Sequence, residues 1–217
     1  DYQGAIDDWS KVIELDPKNR SVYDFMAIYI SSLKDYQGVI DNCSKVIELY
    51  PSENLGKLHS LRARAKFSLG DYQGAIDDHS KAIEIDPKNK NAYKNRGFAK
   101  RRLEDYQGAI DDFSKAIELN SKNEDSYIDR ANAKNKLKDY QGAIDDYTKA
   151  IEINPHNGKA FFHRALLKDE LKDTKGAIDD FSKASELSIE WSLDREKLKD
   201  QCYESEDYEG ANKQNNL

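Results

Sequence analysis

An all-α solenoid of stacked antiparallel helix hairpins is the fold class this sequence predicts. Two observations predict it: an octapeptide that returns about every 34 residues, and an apolar stripe of helical period that travels with it. DYQGAIDD stands at Asp1–Asp8, Asp71–Asp78, Asp105–Asp112 and Asp139–Asp146, and near-copies start at Asp35, Asp173 and Asp207. Successive starts lie 34, 36, 34, 34, 34 and 34 residues apart. A fixed period of that size marks one supersecondary module stacked on itself. One elongated body with a continuous core is therefore expected, in place of the one or two globules that 217 residues alone would indicate.

The repeats partition the chain in order. Residues 1–19 hold only the second helix of a first repeat. Full repeats follow at 20–55, 56–89, 90–123, 124–157 and 158–191, and 192–217 carry a cap helix and a degenerate repeat. In 90–123, helix A is expected over Asn91–Leu103 and helix B over Gln107–Leu119. Helix B shows Ala109, Ile110, Phe113, Ala116 and Ile117, one apolar stripe at 3.6 residues per turn. Asp105 is placed to cap it by accepting from amides that have no partner within the helix. Asp111 and Lys115 are expected to pair at i,i+4, as are their counterparts from Asp7/Lys11 to Asp179/Lys183, each pair worth about 0.2–0.5 kcal/mol. Pro17, Pro51, Pro87 and Pro155 follow helix B and should stop it, because proline cannot continue the hydrogen-bonded turn. Ser121 and Ile189 replace proline in two repeats, and softer stops are expected there. The second repeat carries two extra residues near Asn54–Leu55. Beyond Ser188 the pattern fades into a polar cap helix over Ser192–Glu206, with Asp207–Ala211 still in phase.

Small residues form two columns, Ala27, Ala63, Gly97, Ala131, Ala165 on helix A and Val39, Ala75, Ala109, Ala143, Ala177 on helix B. Matching small side chains let helix axes approach closely. Aromatic residues fill the space beside them (Tyr23, Tyr93, Tyr127, Phe161, and Phe113, Tyr147, Phe181), interrupted by His59 and His79. Arg62, Arg96, Arg130 and Arg164 each stand sixteen residues before Asp78, Asp112, Asp146 and Asp180. In the second repeat both columns change together, to Met26 and Asn42. Half-buried Arg–Asp bridges between helices A and B account for that, since losing one partner would strand the other charge. A lysine column (Lys66, Lys100, Lys134, Lys168) varies with them, to Ile30, with no evident physical account.

The period, the helix A aromatic, the two small columns and the closing proline resemble the tetratricopeptide repeat family over about residues 1–187. The resemblance implies a right-handed superhelix whose inner groove, lined by helix A, binds a peptide or protein. Carried over position by position, the groove includes Lys57, Arg64, Phe67, Lys94, Phe98, Arg101, Arg102, Ile128, Asn132, Lys159 and Phe162. Its third and fourth repeats hold five cations and no anion, with aromatic side chains among them. That mixture suits an acidic segment with large apolar anchors. Lys94, Lys159 and His163 fall where some family members clamp a peptide's terminal carboxylates. Phe98 and Asp129 stand where that clamp needs asparagine, so a receptor of that kind is disfavoured.

Charge and composition narrow the function further. A net charge of -7 and a pI near 5.2 argue against nucleic-acid binding, which depends on neutralising phosphates. No apolar run reaches the roughly 18–20 residues a membrane helix needs. The chain opens without Met and in mid-repeat, which reads as a piece of a longer protein. Cys43 and Cys202, in different repeats, read as free thiols in a reducing compartment, the cytoplasm by default. Cys43 and His79 read as core residues, His79 with its polar atoms satisfied. The histidines have no metal-ligand spacing, no glycine-rich phosphate loop is present, and the Asp-Asp pairs read as solvated helix face with one member on Arg and the other on Lys. A non-catalytic binding scaffold without metal or cofactor is expected. The alternative is an assembly segment of a larger enzyme or regulator, associating with itself through the Trp9 and Val12 edge of the incomplete first repeat.

Overall fold

The computed structural model describes residues 11, 12, 15, 16, 21, 22, 35–50 and 55–187. The expectations for Trp9, Tyr23, Met26, Ala27, Ile30, Pro17, Pro51, the cap helix over 192–206, Cys202 and Asp207–Ala211 lie outside them. Among the described residues nine helices occur: α1 (Tyr36–Leu49), α2 (Gly56–Ser68), α3 (Tyr72–Ile85), α4 (Lys90–Arg102), α5 (Tyr106–Leu119), α6 (Glu124–Lys136), α7 (Tyr140–Ile153), α8 (Gly158–Glu170) and α9 (Thr174–Leu187). Backbone contacts divide the chain into two compact units, Asp1–Lys122 and Asn123–Leu217. In the first, α1 to α5 each pack on the next, and α2 also touches α4; in the second, α6 to α9 pack likewise.

The chain reverses between α4 and α5. Lys100 Nζ donates to the Gly108 carbonyl at 3.3 Å, and Arg96 Nη2 donates to Asp112 at 2.6 Å. Partner separations that grow from both sides of one turn define an antiparallel pair. The same pattern joins α6 to α7 through Lys134–Gly142 and Arg130–Asp146, and α8 to α9 through Lys168–Gly176 and Arg164–Asp180.

Each turn has one construction. At the end of α4 the Glu104 amide donates to Arg101 and the Asp105 amide to Lys100, which uses up carbonyls the helix leaves open. The residue between must adopt positive φ: Gly70 (86°), Glu104 (63°), Lys138 (61°) and Lys172 (64°). The aspartate that follows then caps the next helix. Asp35, Asp71, Asp105, Asp139 and Asp173 accept from the amides of Gly38, Gly74, Gly108, Gly142 and Gly176 at 2.8–3.0 Å. The motif glycine is explained by that cap. A Cβ on Gly108 would stand 2.2 Å from the Asp105 carboxylate, so its neighbour is the cap's own side chain and not an adjacent helix.

Three local expectations need correction. Lys81, Lys115, Lys149 and Lys183 reach forward to Glu84, Glu118, Glu152 and Glu186 at 2.6–2.8 Å, and not back to the aspartates four residues earlier. Asp77, Asp111 and Asp145 are taken instead by Gln73, Gln107 and Gln141 at 3.0–3.1 Å. The glutamine sits one turn before the aspartate, and the glutamate lies closer to the ammonium. The outer member of each of those Asp-Asp pairs is therefore spoken for by glutamine. The stop without proline is not softer: α5 ends at Leu119, fourteen residues long like α3 and α7, with the Asn120 amide donating to Ala116 and Ile117.

The core follows the small columns. Ala63, Ala131 and Ala165 are fully buried, as are Val39, Ala75, Ala109 and Ala143 within 1%. At Gly97 a Cβ would come 2.8 Å from the Phe113 ring, so an aromatic side chain fills what the missing methyl leaves. Leu55 is 2% exposed beside Val39, Cys43, Val46 and Leu58, so the residue preceding α2 is a core residue and makes no side-chain cap.

Candidate functional site

The interior aspartates gather the charged columns. Asp78 accepts from Arg62 Nε at 2.8 Å and Nη2 at 2.6 Å, and Lys66 Nζ lies 2.8 Å from its second oxygen. Arg96/Lys100/Asp112, Arg130/Lys134/Asp146 and Arg164/Lys168/Asp180 repeat this geometry at 2.6–2.9 Å. The lysine column thus supplies a second cation to the same carboxylate. The free end of three of these guanidiniums also reaches the preceding hairpin: Arg62 Nη1 donates to Ser44, Arg96 to Ser80 and Arg164 to Thr148 at 2.9–3.0 Å. One arginine therefore ties three helices. Burial would raise the Asp78 and Asp180 acidities' pKa, but hydrogen bonds from the surrounding donors prevail and hold both carboxyls below the usual range. These groups are structural, with their charges turned into the hairpin.

A different set of side chains lies on the other side of the helix A segments. In the first unit, Lys57, Arg64 and Arg102 are exposed and Phe67, Lys94, Phe98 and Arg101 half-buried. Lys94 Nζ and the Arg101 guanidinium stand 5.7 and 5.2 Å from the Phe98 ring centre, and Phe98 meets Phe113 edge to face at 5.5 Å. Arg102 lies over the Tyr72 ring at 5.1 Å and donates to its hydroxyl at 2.7 and 3.0 Å, while Phe67 meets the same ring at 5.2 Å. Cations stacked on aromatic faces keep their charge and hold a fixed place. In the second unit, Lys159 is exposed and Asn132 and Phe162 half-buried; Ile128 packs on the core. Asn132 accepts from the Tyr147 hydroxyl at 2.7 Å, and Phe162 packs on Phe181 at 5.7 Å. His163 stacks on Tyr147 at 5.8 Å.

His59 Nδ1 lies 3.2 Å from Asp78. His79 is 1% exposed, as expected of a core residue, but its Nδ1 has no hydrogen-bond partner, which corrects the expectation of a satisfied ring. Burial, opposed by the Asp78 charge, lowers its pKa to about 4, so the ring is neutral at neutral pH. Among the described residues no three His, Cys, Asp or Glu side chains are grouped to hold a metal ion, and no helix is long and apolar enough to cross a membrane.

Stacked helix hairpins of one period, each locked by a buried Arg–Lys–Asp cluster, define an α-helical repeat protein of the solenoid class. A tetratricopeptide repeat model matches residues 91–123 and 124–157, and a second TPR repeat model matches 63–103. Residues 63–157 are tetratricopeptide repeats. The chain is similar to the crystal structure of MamA, with a TM-score of 0.73 and 24% identity over 85% of this chain and 95% of that one. MamA from Desulfovibrio magneticus RS-1 aligns with a TM-score of 0.72 and 18% identity, covering 77% and 93%. YrrB, described as a TPR protein with an unusual peptide-binding site, aligns with a TM-score of 0.73 and 18% identity, covering 88% and 97%. No curated protein matches the sequence.

Proposed function

We propose that the protein is a non-catalytic interaction scaffold, and that the face of α2 and α4 binds an acidic segment of another protein carrying apolar anchors. The observation that carries this reading is the stacking of Lys94 and Arg101 on Phe98 and of Arg102 on Tyr72, with Lys57 and Arg64 exposed on α2, in a chain whose net charge is -7. Aromatic rings offer contact area at low entropic cost, and the cations steer carboxylates toward it. The peptide-binding site named for YrrB, and the use of this repeat family for protein recognition, agree with that reading. In the second unit, Ile128, Asn132, Lys159 and Phe162 stand at corresponding positions of α6 and α8 with fewer charges.

The test is fluorescence anisotropy with a labelled peptide containing Glu and Phe. Binding should weaken with added salt and fall about tenfold in Arg64→Glu and in Lys94→Glu. Arg102→Glu is a poorer probe, because it also breaks the tie to Tyr72. Unchanged binding in both charge reversals would refute the reading.

A second reading, self-association through the first unit's N-terminal edge, is favoured by Val12 and Leu15, which are 36% and 87% exposed. A mass that stays monomeric across concentration in light scattering would dismiss it.

A further inference from the structure

Two buried polar atoms among the described residues make no hydrogen bond, Ser60 Oγ and His79 Nδ1, and both belong to the α2/α3 hairpin. Sister hairpins show what those places otherwise hold. Three periods on, the counterparts are Phe162 and Phe181, packed edge to face at 5.7 Å. One period on, the counterparts of Arg64 and His79 are Phe98 and Phe113, at 5.5 Å. Two periods on they are Asn132 and Tyr147, joined by a hydrogen bond of 2.7 Å. A side chain in the His79 column therefore reaches the helix A face at two places, which here carry Ser60 and Arg64. Ser60 is half-buried there and Arg64 exposed, and the Arg64 charge is among those depressing the imidazole's basicity. Where two sister hairpins close the face with ring-on-ring pairs, this one leaves a hydroxyl and an imidazole unpartnered, with the Arg64 charge near enough to act on the ring.

We propose that Ser60, His79 and Arg64 form a polar subsite in the floor of the α2/α4 face, built to receive a side-chain carboxylate of the bound segment. The inference rests on the function proposed above. The carboxylate accepts from the Ser60 hydroxyl and from the imidazole N–H at Nδ1, and Arg64 closes over its charge. The neutral ring can carry its one proton at Nδ1. Bonds left unmade in the free protein are made in the complex, so the ligand relieves a penalty already present. A ligand lacking the carboxylate leaves the same groups unsatisfied, which is the strongest form of discrimination a pocket offers.

The experiment compares an amidated peptide carrying Glu and Phe with its Glu→Gln counterpart, on the full chain, by anisotropy. Ser60→Phe and His79→Phe each place the residue that a sister hairpin holds at that position, and the double variant rebuilds the Phe162/Phe181 pair, so folding should survive; Ser60→Ala is the milder companion. Each phenylalanine variant should weaken the Glu peptide about tenfold and erase its advantage over the Gln peptide, with Ser68→Ala as an unaffected control. In the wild type, NMR should show the His79 pKa rise on binding, against the Arg64, Arg96, Asp78 and Asp112 charges around it. Binding of the Glu peptide within about twofold of wild type in Ser60→Phe and His79→Phe would overturn the subsite. If Lys94→Glu still weakens binding about tenfold in that case, the wider groove reading stands and only the subsite falls. A wild type that binds neither peptide sinks both.

Discussion

Each interior aspartate serves two cations, and its removal should be costly. Asp112→Asn leaves Arg96 and Lys100, each about one-fifth exposed, facing an uncharged partner. A loss of about 3–5 kcal/mol in urea unfolding is expected for a pair broken on one side. Replacing all three together, with Met, Ile and Asn at Arg96, Lys100 and Asp112, should cost less than the single change, because the second repeat already holds that combination as Met26, Ile30 and Asn42. The Arg–Asp spacing of sixteen was readable because both columns change in one repeat. The lysine's role was not, since covariation shows that a residue belongs to a set without showing which oxygen it meets. His79 gives the clearest pH effect. Its folded pKa lies near 4, below the ordinary 6.5, so the unfolded chain binds the extra proton. Stability is complete above pH 6.5 and declines as pH falls toward 4, by about 3 kcal/mol in all. His79→Phe should flatten that limb in a series of urea midpoints; an unchanged slope would refute the assignment.

Among elements, the turns between paired helices hold the most strain. Glu104, Lys138 and Lys172 sit at positive φ, where a Cβ crowds the following carbonyl, while only Gly70 meets the geometry freely. Lys138→Gly should stabilise by up to about 1 kcal/mol, and Gly70→Lys should destabilise by a similar amount, both read from thermal midpoints. Helix order, type and ends within a residue or so were legible from the period and the capping aspartate. The caps of the other helices, Asn89, Asn123 and Asn157, were missed, although each asparagine stands directly before its helix and accepts from an amide three residues on. The ion pairs of the outer helix face were misassigned because a spacing of four is only one of two that meet on a helix, and the glutamate at three was closer.

For the whole molecule, acid should act on the α2/α3 and α8/α9 hairpins together. Asp78 and Asp180 keep their carboxyls ionised below the usual range, so their contribution is full above about pH 4 and lost as pH falls further. Far-UV circular dichroism should show helix content holding at neutral pH and collapsing below about pH 4, after the His79 limb. The repeat class was legible because identical words recur at a constant distance. The division at Lys122/Asn123 was not, because nothing in the octapeptides on either side differs. The polar floor beneath α2 was half legible: the sequence shows His59 and His79 breaking aromatic columns, but only packed side chains reveal which atoms stay unsatisfied.

Two cations on one carboxylate leave a surplus of one positive charge inside every such hairpin. Four clusters sequester +4, so the remaining residues carry -7 - 4 = -11. The residues outside the clusters are more anionic than the formal charge states, and they should repel polyanions, in contrast to the strip where Lys94, Arg101 and Arg102 lie on aromatic rings. A visitor rich in glutamate would be turned away from most approaches and funnelled toward that strip.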